Sequence, residues 1–321
     1  MAVKRVIKRN AKADIRTINE CADEFLEEKE NTGLSPQSIR NYEFTINRFL
    51  NYHNMTGKED IKVLEPSMFY KWNNHMRAEG LSEYSIKHYT GDISTFLNWA
   101  YRNEYIDEPI EIKRVKAQES RPKTFTEEEL EALLEKPKKT ASFSEWRTWA
   151  VVNFILATGA RAKTVCSMKI EDLNFSRREI IYQHMKTKQA MTVPMSASLE
   201  TALKEYMRMW RDEPTGYLFP NVGDEPLTTD ALRQAFERYC KPREVKTTSV
   251  HALRHQFAAE WCRNNGNTFA LQKILGHSTL NMTQKYVRLF GEDLKRDYES
   301  YSALDNIKKN SKRTQVVKRS K

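Results

Sequence analysis

Residues 275–289 read LGHSTLNMTQKYVRL, which sets a histidine, His277, nine residues ahead of a tyrosine, Tyr286. Taken locally, this is a helix boundary. Gly276 suits a helix C-terminus, Ser278 or Thr279 suits the cap of the following helix, and Tyr286 is then a surface aromatic. The stretch acquires a second meaning if distant residues share a site with His277 and Tyr286.

Three stretches upstream supply candidates. Residues 157–161 read ATGAR, residues 186–194 read KTKQAMTVP and residues 251–255 read HALRH. With the opening stretch they offer Arg161, Lys186, His251, Arg254, His277 and Tyr286. A phosphodiester passing through a pentacoordinate transition state gains negative charge on its non-bridging oxygens, and two guanidinium groups with a histidine N–H are suitable donors to it. A phenol can attack and later leave, and a lysine or histidine can hand a proton to the departing oxygen. Each residue also has an ordinary role: Arg161 alone would satisfy carbonyls at a helix C-terminus. His251 and His255, one helical turn apart, have metal-ligand spacing. The glutamate of a zincin motif is absent, however, and Arg254 between them would repel a cation. No metal or cofactor is expected.

The pattern before this region is helical from about residue 17 to 105. Ser35-Pro36 starts a helix whose apolar face is Ile39, Tyr42, Ile46, Phe49 and Leu50. Glu65-Pro66 opens another, and Ser82 caps a fourth with Ile86, Tyr89, Ile93, Phe96, Leu97 and Ala100 on one face. The polar faces of the second and fourth helices carry Gln37, Ser38, Arg40 and Asn41, then Ser85, Lys87 and His88, side chains suited to groove and phosphate contacts or to solvent. A linker over 106–125 includes Arg121 and Lys123, two further candidates for DNA contact. Thr126 and Glu129 form a capping box that opens a second domain over 126–300. Within it, Glu179–Met185 and Ala190–Pro194 read as a hairpin with lysines at its tip, the one clear β signal. Leu294, Tyr298, Tyr301, Leu304 and Ile307 continue at helical spacing toward a helix end and tail over 301–321.

The 321-residue chain is 39% hydrophobic and 30% charged, a globular composition with room for two domains. No apolar run is long enough to span a bilayer, and no secretory signal is apparent, so an intracellular, cytoplasmic protein is expected. The four scattered cysteines indicate neither a disulfide framework nor a zinc knuckle. Of the net charge of +10, the arm over 1–16 and the tail over 308–321 together hold +12, leaving the body near −2. The ends therefore resemble basic arms that attract phosphate without reading sequence.

The four motifs, in this order, resemble those of the tyrosine recombinases, the phage-integrase or site-specific recombinase family. ATGAR resembles the turn that carries that family's first catalytic arginine; Lys186 takes the place of its hairpin lysine. HALRH resembles its H-x-x-R box, and LGHSTLNMTQKY its L-G-H box and nucleophile. The chain departs from the family at Ala160, where leucine is common, and at Thr164, where an acid is common. The resemblance implies a mainly α fold with a small β-sheet: a helical, SAM-like core-binding bundle followed by a mixed α/β catalytic domain. It implies attack by Tyr286, a 3′-phosphotyrosyl intermediate, Lys186 as acid to the leaving 5′ oxygen and His251 in proton transfer at Tyr286. The implied partners are double-stranded DNA with inverted-repeat core sites and a homotetramer in the synaptic complex, monomeric or weakly associated when free. Accessory DNA-bending or directionality proteins are further candidates. The expected activity is integration and excision of a mobile element; the alternatives are Xer-like resolution of replicon dimers, a type IB topoisomerase, or a non-catalytic DNA-binding relative.

Overall fold

A computed structural model describes residues 16–113, 115–117, 121–183, 191–210, 216–277 and 279–290. The chain divides between residues 120 and 121 into two compact units. The first is helical: α1 (Ile18–Asn31), α2 (Pro36–Tyr52), α3 (Pro66–Ala78) and α4 (Glu83–Arg102). Side-chain caps fix the starts of three of them. Thr17 and Glu20 form a capping box on α1, Ser35 accepts from the Ser38 N–H ahead of Pro36, and Ser82 accepts from the Ser85 N–H; each such cap is worth about 1 kcal/mol. The amphipathic faces then meet in an aromatic core. Phe49 stacks on Phe69 with centroids 4.7 Å apart, Trp72 meets Phe49 edge-on, and Phe25 lies edge-on to Phe96 and Trp99.

The second unit begins with α5 (Glu127–Leu134), capped by the Thr126–Glu129 box. Next comes α6 (Phe143–Thr158), which buries Trp146, Trp149, Val151, Val152, Phe154 and Ile155 all round its circumference. A helix apolar on every side must be central, and α6 does pack against α5, α8 (Ala197–Trp210), α9 (Thr229–Cys240) and α10 (Val250–Arg263). The short α7 (Ala162–Ser167) leads to an antiparallel sheet in the order β1 (Leu173–Asn174), β2 (Glu179–Tyr182) and β3 (Met191–Pro194). Ile180 pairs with Leu173 on one side and Val193 on the other. β2 and β3 pair as the hairpin that the sequence indicates, while β1, at two residues too brief to show a period, has no sequence signal. Their connection, residues 184–190, lies outside the described residues. Finally, α11 (Thr268–Leu275) and α12 (Leu280–Phe290) pack on α10 around Phe257, Leu271, Leu275 and Tyr286. All four cysteines are buried and free. No described helix is long and apolar enough to cross a membrane.

Candidate active site

The site is built on two glycine turns. α6 ends at Gly159, which has φ +64°; a Cβ there would lie 2.5 Å from the Phe257 ring and 2.9 Å from Leu275. Only glycine fits both the left-handed backbone and the space. The turn presents the Gly159 carbonyl to α10 and lets Arg161 begin α7 as its N-cap residue. α11 ends likewise at Gly276, φ +57°, leaving the carbonyls of Leu275 and Gly276 free of helical partners.

Two guanidinium groups take up these carbonyls. Arg254, 3% exposed on α10, donates from Nη1 to Gly159 O at 2.6 Å and from Nη2 to Leu275 O at 2.7 Å. Arg161 donates from Nη2 to Gly276 O at 3.1 Å. The negative end of α11 thus holds two buried or half-buried cations. Among the described residues, the hydrogen-bond acceptors of both arginines are carbonyls and a histidine nitrogen, and no carboxylate neutralises them. Burial, with Arg161 adding to it, lowers Arg254 to about 10, so it stays charged at neutral pH. A site with two unneutralised guanidiniums is suited to an anion with several oxygens.

His277 follows the second turn and is anchored at both ring nitrogens. Nε2 lies 3.2 Å from Arg254 Nη2 and Nδ1 lies 2.9 Å from the hydroxyl of the fully buried Thr283. Arginine only donates, so Nε2 accepts and Nδ1 carries the proton to Thr283. Burial first, then Arg254 and Arg161, lower His277 to about 4, which matches a neutral ring. Gln272 completes the mount by donating to the His277 carbonyl at 3.3 Å.

Tyr286 is 5% exposed, not the surface aromatic of the local reading. Its ring lies parallel to that of His277, centroids 6.4 Å apart. Burial raises its pKa against the lowering influence of Arg254 and Arg161, so the phenol is protonated. The hydrogen-bond partner of its hydroxyl is His255, whose Nδ1 is 2.6 Å away. His251, expected in that place from the resemblance, is exposed and meets His255 edge-on at 4.4 Å between centroids. The physical reason is helical geometry: on α10, position 255 lies one turn further along the same face as position 251, and there α12 brings Tyr286. The protein still covers part of the His251 ring, and this, followed by Arg254 and Arg161, lowers its pKa.

Five of the six sequence candidates, Arg161, His251, Arg254, His277 and Tyr286, therefore surround one region. Lys186 lies outside the described residues. Sequence reasoning missed Thr283 and Gln272, and it weighed His255 only as a metal ligand. Ala160 is buried and its N–H donates to Thr158 Oγ1 at 3.3 Å, so the turn closes with a small residue in that place.

The candidates for DNA contact are distributed as follows. Gln37, Arg40 and Asn41 are exposed on α2 and hydrogen-bond one another; Ser38, half-buried, meets the Ser35 cap. On α4, Lys87 and His88 are exposed and Ser85 is half-buried against Ser82. Asn41, Ser85 and His88 line a groove of about 340 Å³ with Phe44, Tyr84 and Asp92. Asp92 pairs with His88 at 3.1 Å, and burial raises its pKa. Arg121 and Lys123 are exposed at the start of the second unit.

Comparison with known proteins settles the family. The phage integrase family model matches residues 123–292, and that of the phage integrase N-terminal SAM-like domain matches residues 22–104. The chain belongs to the phage integrase family. It is a tyrosine recombinase by the resemblance its motifs carry and by the names of its relatives. Tyrosine recombinase XerA of Pyrococcus furiosus is 28% identical over 293 residues, covering 90% of this chain and 96% of that protein. A Tn1549 transposon integrase in complex with a circular intermediate DNA has a TM-score of 0.71 at 20% identity, covering 84% of this chain and 94% of that one. A lambda integrase dimer bound to a COC′ core site has a TM-score of 0.67 at 17% identity, covering 83% and 97%. The mainly α fold with a small antiparallel sheet agrees with the sequence reading.

Proposed function

We propose that this tyrosine recombinase cuts and rejoins DNA at specific sites through a 3′ phosphate bond to Tyr286. The observation that carries the assignment is a buried phenol held beside two guanidinium groups that no described carboxylate neutralises. A DNA phosphate entering this site would replace helix carbonyls as the partner of Arg161 and Arg254. His277 accepts a hydrogen bond from Arg254 in the free chain; an incoming phosphate would raise its proton affinity and allow Nε2 to donate to a non-bridging oxygen. Lys186 is assigned as acid to the leaving 5′ oxygen, and His251 to orientation of the phosphate or of its neighbour His255. The freed 5′ hydroxyl then attacks the phosphotyrosine of a partner strand. Bond energy is conserved in the covalent intermediate, so exchange needs no external energy source.

The natural reaction is assigned as integration and excision of a mobile element, a reading supported by the likeness to a transposon integrase. The near-full-length match to XerA supports the second reading, resolution of replicon dimers. The working assembly is assigned as a homotetramer on two duplexes with inverted-repeat core sites, in the cytoplasm, with or without DNA-bending and directionality proteins. The domain limits at 17–105 and 126–300, and the DNA contacts by α2, α4, Arg121 and Lys123, belong to the same proposal. Tyr286→Phe tests its core. The variant should bind DNA as the wild type does and form no covalent adduct on nicked duplexes, whereas a persisting adduct would remove Tyr286 from the role.

A further inference from the structure

We propose that His255 receives the proton of Tyr286 as the phenol attacks phosphorus, an inference that rests on Tyr286 being the nucleophile. Four observations carry it. The His255 Nδ1 is 2.6 Å from the phenolic oxygen, within the range of a good O–H···N hydrogen bond. A phenol is the better donor of the pair and a neutral imidazole nitrogen the better acceptor, so the proton lies on oxygen and points at nitrogen. The phenol is 5% exposed, which leaves bulk water poor access to it. The two side chains stand on helices that pack directly on each other, α10 and α12, so the pair is held by the core.

The charges around His255 fit the role. Burial comes first, and then His251, Lys285, Arg254 and His277 facing it, in lowering its pKa to about 4. The ring is therefore neutral and able to accept at physiological pH. A bound phosphodiester brings a negative charge to the same site, opposing Arg254 and raising the proton affinity of His255 at the moment it is needed.

The step balances. The Oη–P bond forms as the P–O5′ bond breaks, the phenolic proton passes to Nδ1, and the departing 5′ oxygen takes a proton from Lys186. On rejoining, the P–O5′ bond forms as the Oη–P bond breaks, the attacking 5′ hydroxyl gives its proton to Lys186, and His255 returns its proton to the phenolate. His251, edge-on to His255, would orient that ring and not touch the phenol.

The test is single-turnover formation of the covalent adduct on a nicked duplex by full-length wild type, His255→Asn, His255→Gln and Tyr286→Phe, from pH 6 to 9. Asparagine keeps an acceptor near the position of Nδ1 without its basicity. We expect His255→Asn to bind DNA normally and to cleave about 10²–10⁴-fold more slowly at pH 7. Its rate should rise with pH while the wild-type rate stays flat, because only hydroxide is left to take the proton. His255→Gln should behave alike if it is the better folded of the two. A His255→Asn rate near that of wild type, or a slower rate with an unchanged pH profile, would overturn the inference and leave His255 as a positioning residue. An adduct from Tyr286→Phe would instead remove the underlying reading of the nucleophile.

Discussion

Arg254 shows what a single residue contributes to this site. Its guanidinium spans two carbonyls from different helices, Gly159 and Leu275, and reaches His277 with the same Nη2. A lysine carries the charge but lacks the planar fork, and its one nitrogen cannot meet all three partners. Arg254→Lys is therefore expected to lower the cleavage rate about 10²–10³-fold and to cost about 1–3 kcal/mol of stability from the carbonyl left unpaired. Stopped adduct formation and denaturant unfolding would measure the two effects; a variant with normal rate and stability would contradict them. At this scale the sequence was informative about residue type and motif order, and poor on pairing. HALRH supplied His251, Arg254 and His255 together, yet nothing in one dimension says which ring meets the phenol. That depends on where α12 crosses α10, a tertiary fact. Thr283 was silent for the same reason: three residues ahead of Tyr286, it reads as an ordinary helix position until His277 is folded back beside it.

The elements are positioned by their ends. Gly159 and Gly276 each release carbonyls that the arginines occupy, so the anion site is assembled where α6 and α11 stop. Gly159→Ala should be disproportionately harmful: the added methyl meets the Phe257 ring and Leu275 at a left-handed backbone position. A loss of about 1–3 kcal/mol is expected. A larger fall in cleavage should accompany it, because the Gly159 carbonyl holds Arg254. Retained stability in thermal and urea unfolding would show that the turn can relax. The starts of α2, α4 and α5 were legible because Ser35, Ser82 and Thr126 are local signals, and the faces of α2 and α4 because apolar residues repeat at helical spacing. The two-residue β1 was not, since it exists only through pairing with β2.

For the whole molecule, the organisation is two units whose body is almost neutral and whose ends are basic. Strong binding must then come from local clusters and from the ends, and both act on phosphate in a salt-dependent way. We propose that the apolar pattern from Leu294 to Ile307, outside the described residues, docks on a neighbouring protomer. α11 and α12 leave Phe269, Met282, Val287 and Leu289 exposed. Removing residues 292–321 should leave binding to a single site within a few-fold of wild type at fixed salt while lowering cooperativity between sites; unchanged cooperativity in a two-site titration would count against docking. The overall architecture was readable because two independent hydrophobic patterns flank a polar, proline-containing linker. The chemistry at Tyr286 is tested by trapping wild-type protein on nicked duplexes with randomised flanks, then sequencing the attached DNA and locating the modified residue by peptide mass spectrometry. The expected result is a nucleotide joined through its 3′ phosphate to Tyr286, on DNAs sharing a short inverted repeat. Attachment through a 5′ phosphate or at another residue, or no adduct from folded, DNA-bound protein, would contradict it.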